Sequence, residues 1–360
     1  MFKIVQNDIT KVKADAIVNT TNPRPVIENG TDSAIYRAAG EKLLLAERKK
    51  IGDIKPGSAV STPAFNLGAK YIIHTVGPTL VDGRHCERET LRSCYAGSLA
   101  LAAELFCESI AFPFPMIDTG VHGFPKAEAL HIALSEIKKF LLTHEMKVIL
   151  AVFELKALEL SENLTGGLSE YIGEHSVRLL PNGESSGDSI TSIRCRMNEE
   201  QIFAVERRWH VDLAPQRNEF LEGPISLPYA VSFPDVAGKS LDELLGGNED
   251  TFQQRLFKLI DASGMDDVTV YKKANIDRKV FSRIRCKTDY KPKKKTAVAF
   301  AIALELDMPT MLDLLSRAEI AFSPSNKFDL IVSYFISKRN YDIFEINAAL
   351  FKYGQPILGE

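Results

Sequence analysis

Cysteine is scarce in this sequence: five in 360 residues, at 86, 94, 107, 195 and 286, with an odd total and no Cys-x-x-Cys pair. That pattern excludes a disulfide framework and a four-cysteine zinc site, and a reducing, cytoplasmic setting is the expectation. Long apolar runs are missing too. No stretch approaches the ~20 apolar residues that a helix needs to cross a bilayer. The first ten residues also lack the charged head and unbroken apolar stretch of a signal peptide, so no membrane partner is expected. His74, His85, His122 and His131 stand at no metal-ligand spacing, and neither a metal nor a cofactor is expected. His74, on an apolar strand, reads as a satisfied core residue. A net charge of -3 excludes a chain that is basic throughout.

What is present is globular. With 45% hydrophobic and 25% charged residues, most of the chain can fold, and at ~150 residues per domain the length predicts two or three domains. Short β-rich runs at 2–5, 16–18, 59–62, 71–75, 110–114 and 148–153 alternate with helical periodicity at 33–50, 88–106 and 126–144. Residues 1–175 therefore read as a three-layer α/β/α sandwich on a mixed sheet. Residues 180–189, LPNGESSGDS, carry no periodicity that could bury a face and read as a linker, within a connecting region 176–239 that holds Trp209 and has no assigned role. Beyond 240 the pattern is helical, opened by Ser240 and Glu243 at capping-box spacing. Helices are predicted at 241–245, 252–262, 268–273, 278–285, 296–304, 310–317, 327–337 and 343–351, which makes 240–360 a separate all-α domain.

Four segments of the first domain read as parts of one nucleotide site. In Asn7-Asp8-Ile9-Thr10 a carboxylate follows a strand, where it can accept from the amine of adenine or simply cap a turn. Val18-Asn19-Thr20-Thr21-Asn22 brings two asparagines to a strand's C-terminal end, where ligands sit in open α/β sheets; they can hold ribose hydroxyls or brace the loop. Asn29-Gly30-Thr31-Asp32 enters a helix, and Asp32 can face a ligand or cap that helix. In Ile117-Asp118-Thr119-Gly120-Val121-His122-Gly123-Phe124-Pro125 two glycines allow close backbone approach, and the free amides of the following helix attract an anion. This is a diphosphate cradle without a Walker lysine. Phe124 can lie against a ribose or pack.

Together these segments, with Lys55-Pro56-Gly57 and the run YIIHTVGP at 71–78, resemble the macro domain family across 1–175. The resemblance implies ADP-ribose or an ADP-ribosylated substrate as ligand. It places Asp8 and Ile9 on adenine and Thr119, Gly120, Val121, His122, Gly123 and Phe124 on the diphosphate, with Asn19, Gly30 and Thr31 among the other ligand-binding residues. Phe153 is placed against the adenine ring or in the core, and Asn22 and Asp32 face the distal ribose, where hydrolytic members orient a water. Two departures stand out: Val26-Ile27-Glu28-Asn29-Gly30 replaces a glycine-rich loop, and Tyr36 stands where a histidine is common. The function expected is hydrolysis of an ADP-ribosyl or O-acyl-ADP-ribose linkage, with a non-catalytic ADP-ribose sensor as the alternative.

The run 252–315 resembles the helix-turn-helix bundle of phage-repressor type regulators. Nine basic residues lie between Arg278 and Lys295 against one acid, Asp289. Arg278, Lys279, Arg283, Arg285 and Lys293 are candidates for nucleic-acid contact. The alternative is a solvated or protein-docking face.

Overall fold

The computed structural model describes residues 1–78, 86–116, 124–175, 250–323 and 325–359. Six strands form one sheet in the order β1-β6-β5-β2-β4-β3: β1 (Phe2–Gln6), β2 (Ala16–Thr20), β3 (Ala59–Pro63), β4 (Tyr71–Thr75), β5 (Ser109–Phe114) and β6 (Lys147–Val152). All neighbours are parallel except β3, which runs antiparallel to β4. The mixed sheet expected from the sequence is thus observed. Its side chains alternate: Ile17, Ile72, Ala111, Ile149 and Ala151 face one apolar cluster, while Ala16, Val18, Ile73, Ile110, Phe112, Val148 and Leu150 face another. A period of two with both faces apolar is what a sheet covered on both sides requires.

Helices α1 (Thr31–Ala39) and α2 (Glu41–Ile51) cover the first face, and α3 (Cys86–Glu104) and α4 (Lys126–Thr143) the second. The single helix expected at 33–50 is two, because Gly40 takes φ 99°, outside the helical region, and breaks the backbone there. A further helix, α5 (Glu162–His175), was not evident from periodicity.

The C-terminal region is all-α as expected: α6 (Phe252–Ser263), α7 (Asp267–Lys273), α8 (Arg278–Cys286), α9 (Lys294–Ala303), α10 (Met308–Ser316), α11 (Lys327–Ser337) and α12 (Ile343–Lys352). Side-chain caps start most of them: a Thr251/Gln254 capping box on α6, and Asp266, Asp277, Asp307, Asn326 and Asp342 on α7, α8, α10, α11 and α12. The expected helix 241–245 with its Ser240/Glu243 cap, and the linker region 176–239, lie outside the described residues.

Read from sequence as a separate domain, this helical region is joined to the sandwich through a shared core, and the two fall in one compact unit. Phe2 of β1 packs against Phe344 of α12 with ring centroids 5.1 Å apart, and Tyr171 of α5 against Tyr334 of α11 at 5.5 Å. The sheet has β3 at one edge and β1 at the other. Asn275, between α7 and α8, closes the latter with a side chain that imitates a peptide: Oδ1 accepts from Phe2 N at 2.6 Å and Nδ2 donates to Phe2 O at 2.9 Å. An unpaired sheet edge invites association with another strand, and here a buried amide occupies the pairing groups of Phe2.

Candidate ligand site at the carboxyl edge of the sheet

Because β1, β6, β5, β2 and β4 are parallel, the segments that follow them leave from one edge. From β1 to β2 is three strand spacings, about 14 Å at ~4.8 Å each. That length can seat a base, a diphosphate and a second sugar in line.

At the β1 end, Asp8 caps a short 3-10 turn, Ile9–Lys11. Its Oδ1 accepts from Thr10 N at 2.9 Å and Thr10 Oγ1 at 2.8 Å, which fixes the carboxyl group and orients Oδ2. The capping role is therefore real, and it is compatible with a ligand on the other oxygen. Ile9 is buried beneath. On the adjacent strand Phe153 follows β6 with its ring 69% exposed, so of the two readings open in the sequence it does not take the core one. The alignment Gln6↔Val152 puts the segments carrying Asp8 and Phe153 at neighbouring strand ends.

β5 ends between β6 and β2. The expected diphosphate residues Thr119, Gly120, Val121, His122 and Gly123 lie outside the described residues. Phe124, just beyond them, is 4% exposed within the large core cluster. It takes the packing alternative, a correction to its expected contact with the diphosphate, because its ring is enclosed between sheet and helix.

At the β2 end, Asn19 is buried and its Nδ2 donates to Asp32 Oδ1 at 2.6 Å, with His74 Nδ1 at 3.3 Å. His74 is buried, its Nε2 lies 2.9 Å from Thr62 Oγ1, and burial lowers its pKa to about 3, with the Arg48 charge acting in the same direction. A neutral ring accepting at Nδ1 and donating from Nε2 satisfies every contact. Asp32 Oδ2 accepts from Glu28 N at 2.7 Å. Burial raises the Asp32 pKa, while the Glu28 amide and Asn19 oppose the rise by bonding the charged form. Gly30, at φ 79°, turns the chain into α1 at Thr31. Asn22 Nδ2 donates to Glu28 Oε1 at 2.6 Å. Asn19 is thus joined directly to Asp32, and Asn22 reaches the same carboxylate through Glu28, with Gly30 and Thr31 between Glu28 and Asp32 in the chain.

Three features here were not anticipated. Arg48 of α2 is fully buried and donates to the carbonyls of Gly52, Pro23 (2.9 Å) and Asn22 (3.4 Å), clamping the loop after β2 from below. Its only signal is its position four residues after buried Leu44, on the apolar face of α2. Tyr36 is buried beside it, its hydroxyl pushed up to about 12 by burial and the Asp32 charge, with Arg48 opposing. Thirdly, among the described residues Asn19 Oδ1 and Thr20 Oγ1 are buried side-chain atoms without a hydrogen-bond partner, at the end of β2. Buried polar atoms left unpaired are unusual and call for an explanation such as a bound group.

The basic candidates Arg278, Lys279, Arg283, Arg285 and Lys293 are all exposed, on or just beyond α8. Arg285 is already engaged, ion-paired with Asp267 and 5.1 Å above the Phe257 ring. Lys291 and Lys294 are paired with Glu319 and Asp329. The run 291–295, read from sequence as a phosphate-neutralising tail, is thus partly committed to internal acids and enters α9.

A family model for the macro domain matches residues 18–133. An O-acetyl-ADP-ribose deacetylase of Citrobacter rodentium is 45% identical over 141 residues, 38% of this chain and 78% of its own length. A macro domain-containing protein of Chlorobaculum tepidum is 42% identical over 161 residues, 44% and 92% of the two chains. A solved Oceanobacillus iheyensis macrodomain with MES bound is 33% identical, covering 46% of this chain and 91% of its own, at a TM-score of 0.41. With such identity across most of the length of those relatives, the chain belongs to the macro domain family.

Proposed function

We propose that this protein binds ADP-ribose at the carboxyl edge of its sheet and hydrolyses an acyl or ADP-ribosyl linkage on the distal ribose. The observation that carries this reading is the linear order of groups along the edge. Asp8 and the exposed Phe153 ring stand at the β1–β6 end, and Asn22, Glu28 and Asp32 at the β2 end. Asp8 Oδ2 is suited to the adenine amine and Phe153 to its face. The relatives named for O-acetyl-ADP-ribose deacetylation support the same chemistry. Residues 119–123 would hold the diphosphate with backbone amides.

The chemical logic is positional. Binding of the base and diphosphate fixes the distal sugar against the β2 end, where a water can be held between an amide donor and a carboxylate acceptor. Calorimetric titration with ADP-ribose tests binding, and release of acetate from O-acetyl-ADP-ribose tests turnover. Binding without turnover favours the sensor reading, which has its own support: Asp32 has both oxygens engaged and the Asn22 amide is held by Glu28. Absence of heat with ADP-ribose defeats both.

The helical region supplies a second surface. The pairing of α7 and α8 across residues 274–277, with α8 exposing Arg278, Lys279, Ser282 and Arg283, suits a helix-turn-helix contact with nucleic acid. Docking on the sandwich uses α7 and Asn275 rather than this face, which leaves α8 open. A mobility shift over a salt series tests it, and binding insensitive to salt, or none, leaves a protein-docking role.

A further inference from the structure

After β5 the chain returns through α4 to the opposite, amino edge of the sheet. The 18 residues of α4 span about 27 Å, so its last turns stand far from the ligand site described above. There, between α4, α7, the end of α9 and the turn from α11 to α12, lies a cleft of about 320 Å³. That volume suits a small organic molecule.

Four cations from three parts of the chain line the cleft: Lys138 of α4, Lys272 and Lys273 of α7, and Arg339 in the turn before α12. Two acids stand against them, Glu305 and Asp342, and each is already matched. Asp342 caps α12 and pairs with Lys138, and Glu305 pairs with Lys273 at 3.2 Å. Two cations are left over. Lys272 Nζ donates to the neutral carbonyl of Leu142 at 3.2 Å, and Arg339 is exposed and in no ion pair among the described residues. The walls thus carry two positive charges in excess, in a chain whose net charge is -3. A second cleft that also borders Lys272 has the opposite sense, with Asp15, Glu108, Glu145 and Asp277 on its walls. The excess positive charge is therefore local to the first.

Cations gathered in a concave place repel one another and favour the entry of an anion. An excess of two matches a phosphate monoester, which carries about -1.5 to -2 at neutral pH, better than it matches a single carboxylate. The guanidinium fork of Arg339 fits phosphate oxygens in pairs, and the Lys272 ammonium adds a point charge. Tyr341 on the same wall is half-buried; burial and the Asp307 charge raise the pKa of its hydroxyl, with Arg339 opposing, so it is protonated and able to donate. Ile302 and Phe344 give the lining an apolar part for the organic body of a ligand. We propose that this cleft, at the seam between sandwich and helices, is a binding site for a small phosphate monoester held by Lys272 and Arg339. It is a second site, independent of the ADP-ribose reading.

The test uses the full chain in calorimetry at low salt, with inorganic phosphate and glycerol phosphate as probes and glycerol as the uncharged control. Each titration is repeated with excess ADP-ribose and with the variants Lys272→Gln, Arg339→Gln and Lys42→Gln, the last removing an exposed cation of α2. Wild type is expected to bind both phosphates and not glycerol, and to do so unchanged by ADP-ribose or by Lys42→Gln. Lys272→Gln and Arg339→Gln are each expected to weaken binding by about tenfold or more. Thermal unfolding checks each variant, and because Arg339 is exposed and unpaired, its replacement reads out binding even where Lys272→Gln lowers the midpoint. Failure of wild type to bind either phosphate overturns the proposal. So does displacement of the probe by ADP-ribose, which puts it at the carboxyl edge of the sheet, and so does an equal loss in Lys42→Gln, which reduces the effect to diffuse charge. A short oligonucleotide of phosphodiesters that binds through Lys272 and Arg339 where both probes fail overturns it in favour of a nucleic acid strand.

Discussion

His74 is held neutral by its surroundings, and that has a consequence in solution. The folded protein keeps the ring neutral down to about pH 3, whereas the unfolded chain protonates near the ordinary value of 6.5. Acid therefore favours unfolding: the full stability is present above pH 6.5 and declines as pH falls toward 3. Between pH 7 and 5 the loss due to this residue is about 2 kcal/mol. Denaturant unfolding at the two pH values should show it, and His74→Gln should flatten the difference. At Arg48, substitution by Met removes donors from the carbonyls of Gly52, Pro23 and Asn22. At roughly 1 kcal/mol net per hydrogen bond the expected cost is about 2–3 kcal/mol; an unchanged denaturation midpoint would contradict the clamp. Phe153→Ala should weaken ADP-ribose binding by about 1–2 kcal/mol in calorimetry, as for a lost base-stacking partner. An unaltered affinity would remove Phe153 from the site.

At the scale of elements, the β1 edge of the sheet is the feature most sensitive to a single change. Asn275 adopts a left-handed φ of 54°, and its side chain bonds both polar groups of Phe2. Asn347 bonds both backbone groups of Leu358 alongside, at 2.6 and 3.2 Å. Asn275→Ala leaves Phe2 N and O without those partners and should destabilise the protein by about 2–3 kcal/mol. It should also speed hydrogen exchange at the Phe2 amide more than at β5; equal exchange rates would show that the edge is closed by something else. The sequence made the six strands legible, because alternation and short β-rich runs depend only on neighbours along the chain. It misread 33–50 as one helix, since a break at Gly40 depends on a backbone angle that periodicity does not register.

At the scale of the whole molecule, the sandwich and the helices share one apolar cluster running from Phe2 and Ile4 through α4 to Phe300, Phe335 and Phe344. Elements that share a core open together. Amide exchange in β1, β6, α9 and α12 is therefore expected to report one common opening free energy. ADP-ribose at 100 times its dissociation constant should raise it by about 2.7 kcal/mol in all four. A rise confined to the strands would show that the helices open independently. The coupling gives the exposed α8 face a rigid mount on the ligand-binding body.

The sequence alone determined the strands and most of the helices, the family resemblance and the residue types of the site, because Asp8, Asn19, Asn22, Gly30 and Asp32 lie within short motifs whose meaning is local. Only the tertiary structure decided what those residues are free to do. Asp32 is buried against Asn19 and the Glu28 amide while the Glu28 side chain is exposed, Phe124 is enclosed and Phe153 exposed, and Arg48 turns from a charge on a helix into a clamp. The tertiary structure also set Asn275 against a strand 273 residues away. Pairings at that separation arise from the closing of the core, which no local pattern of residues encodes.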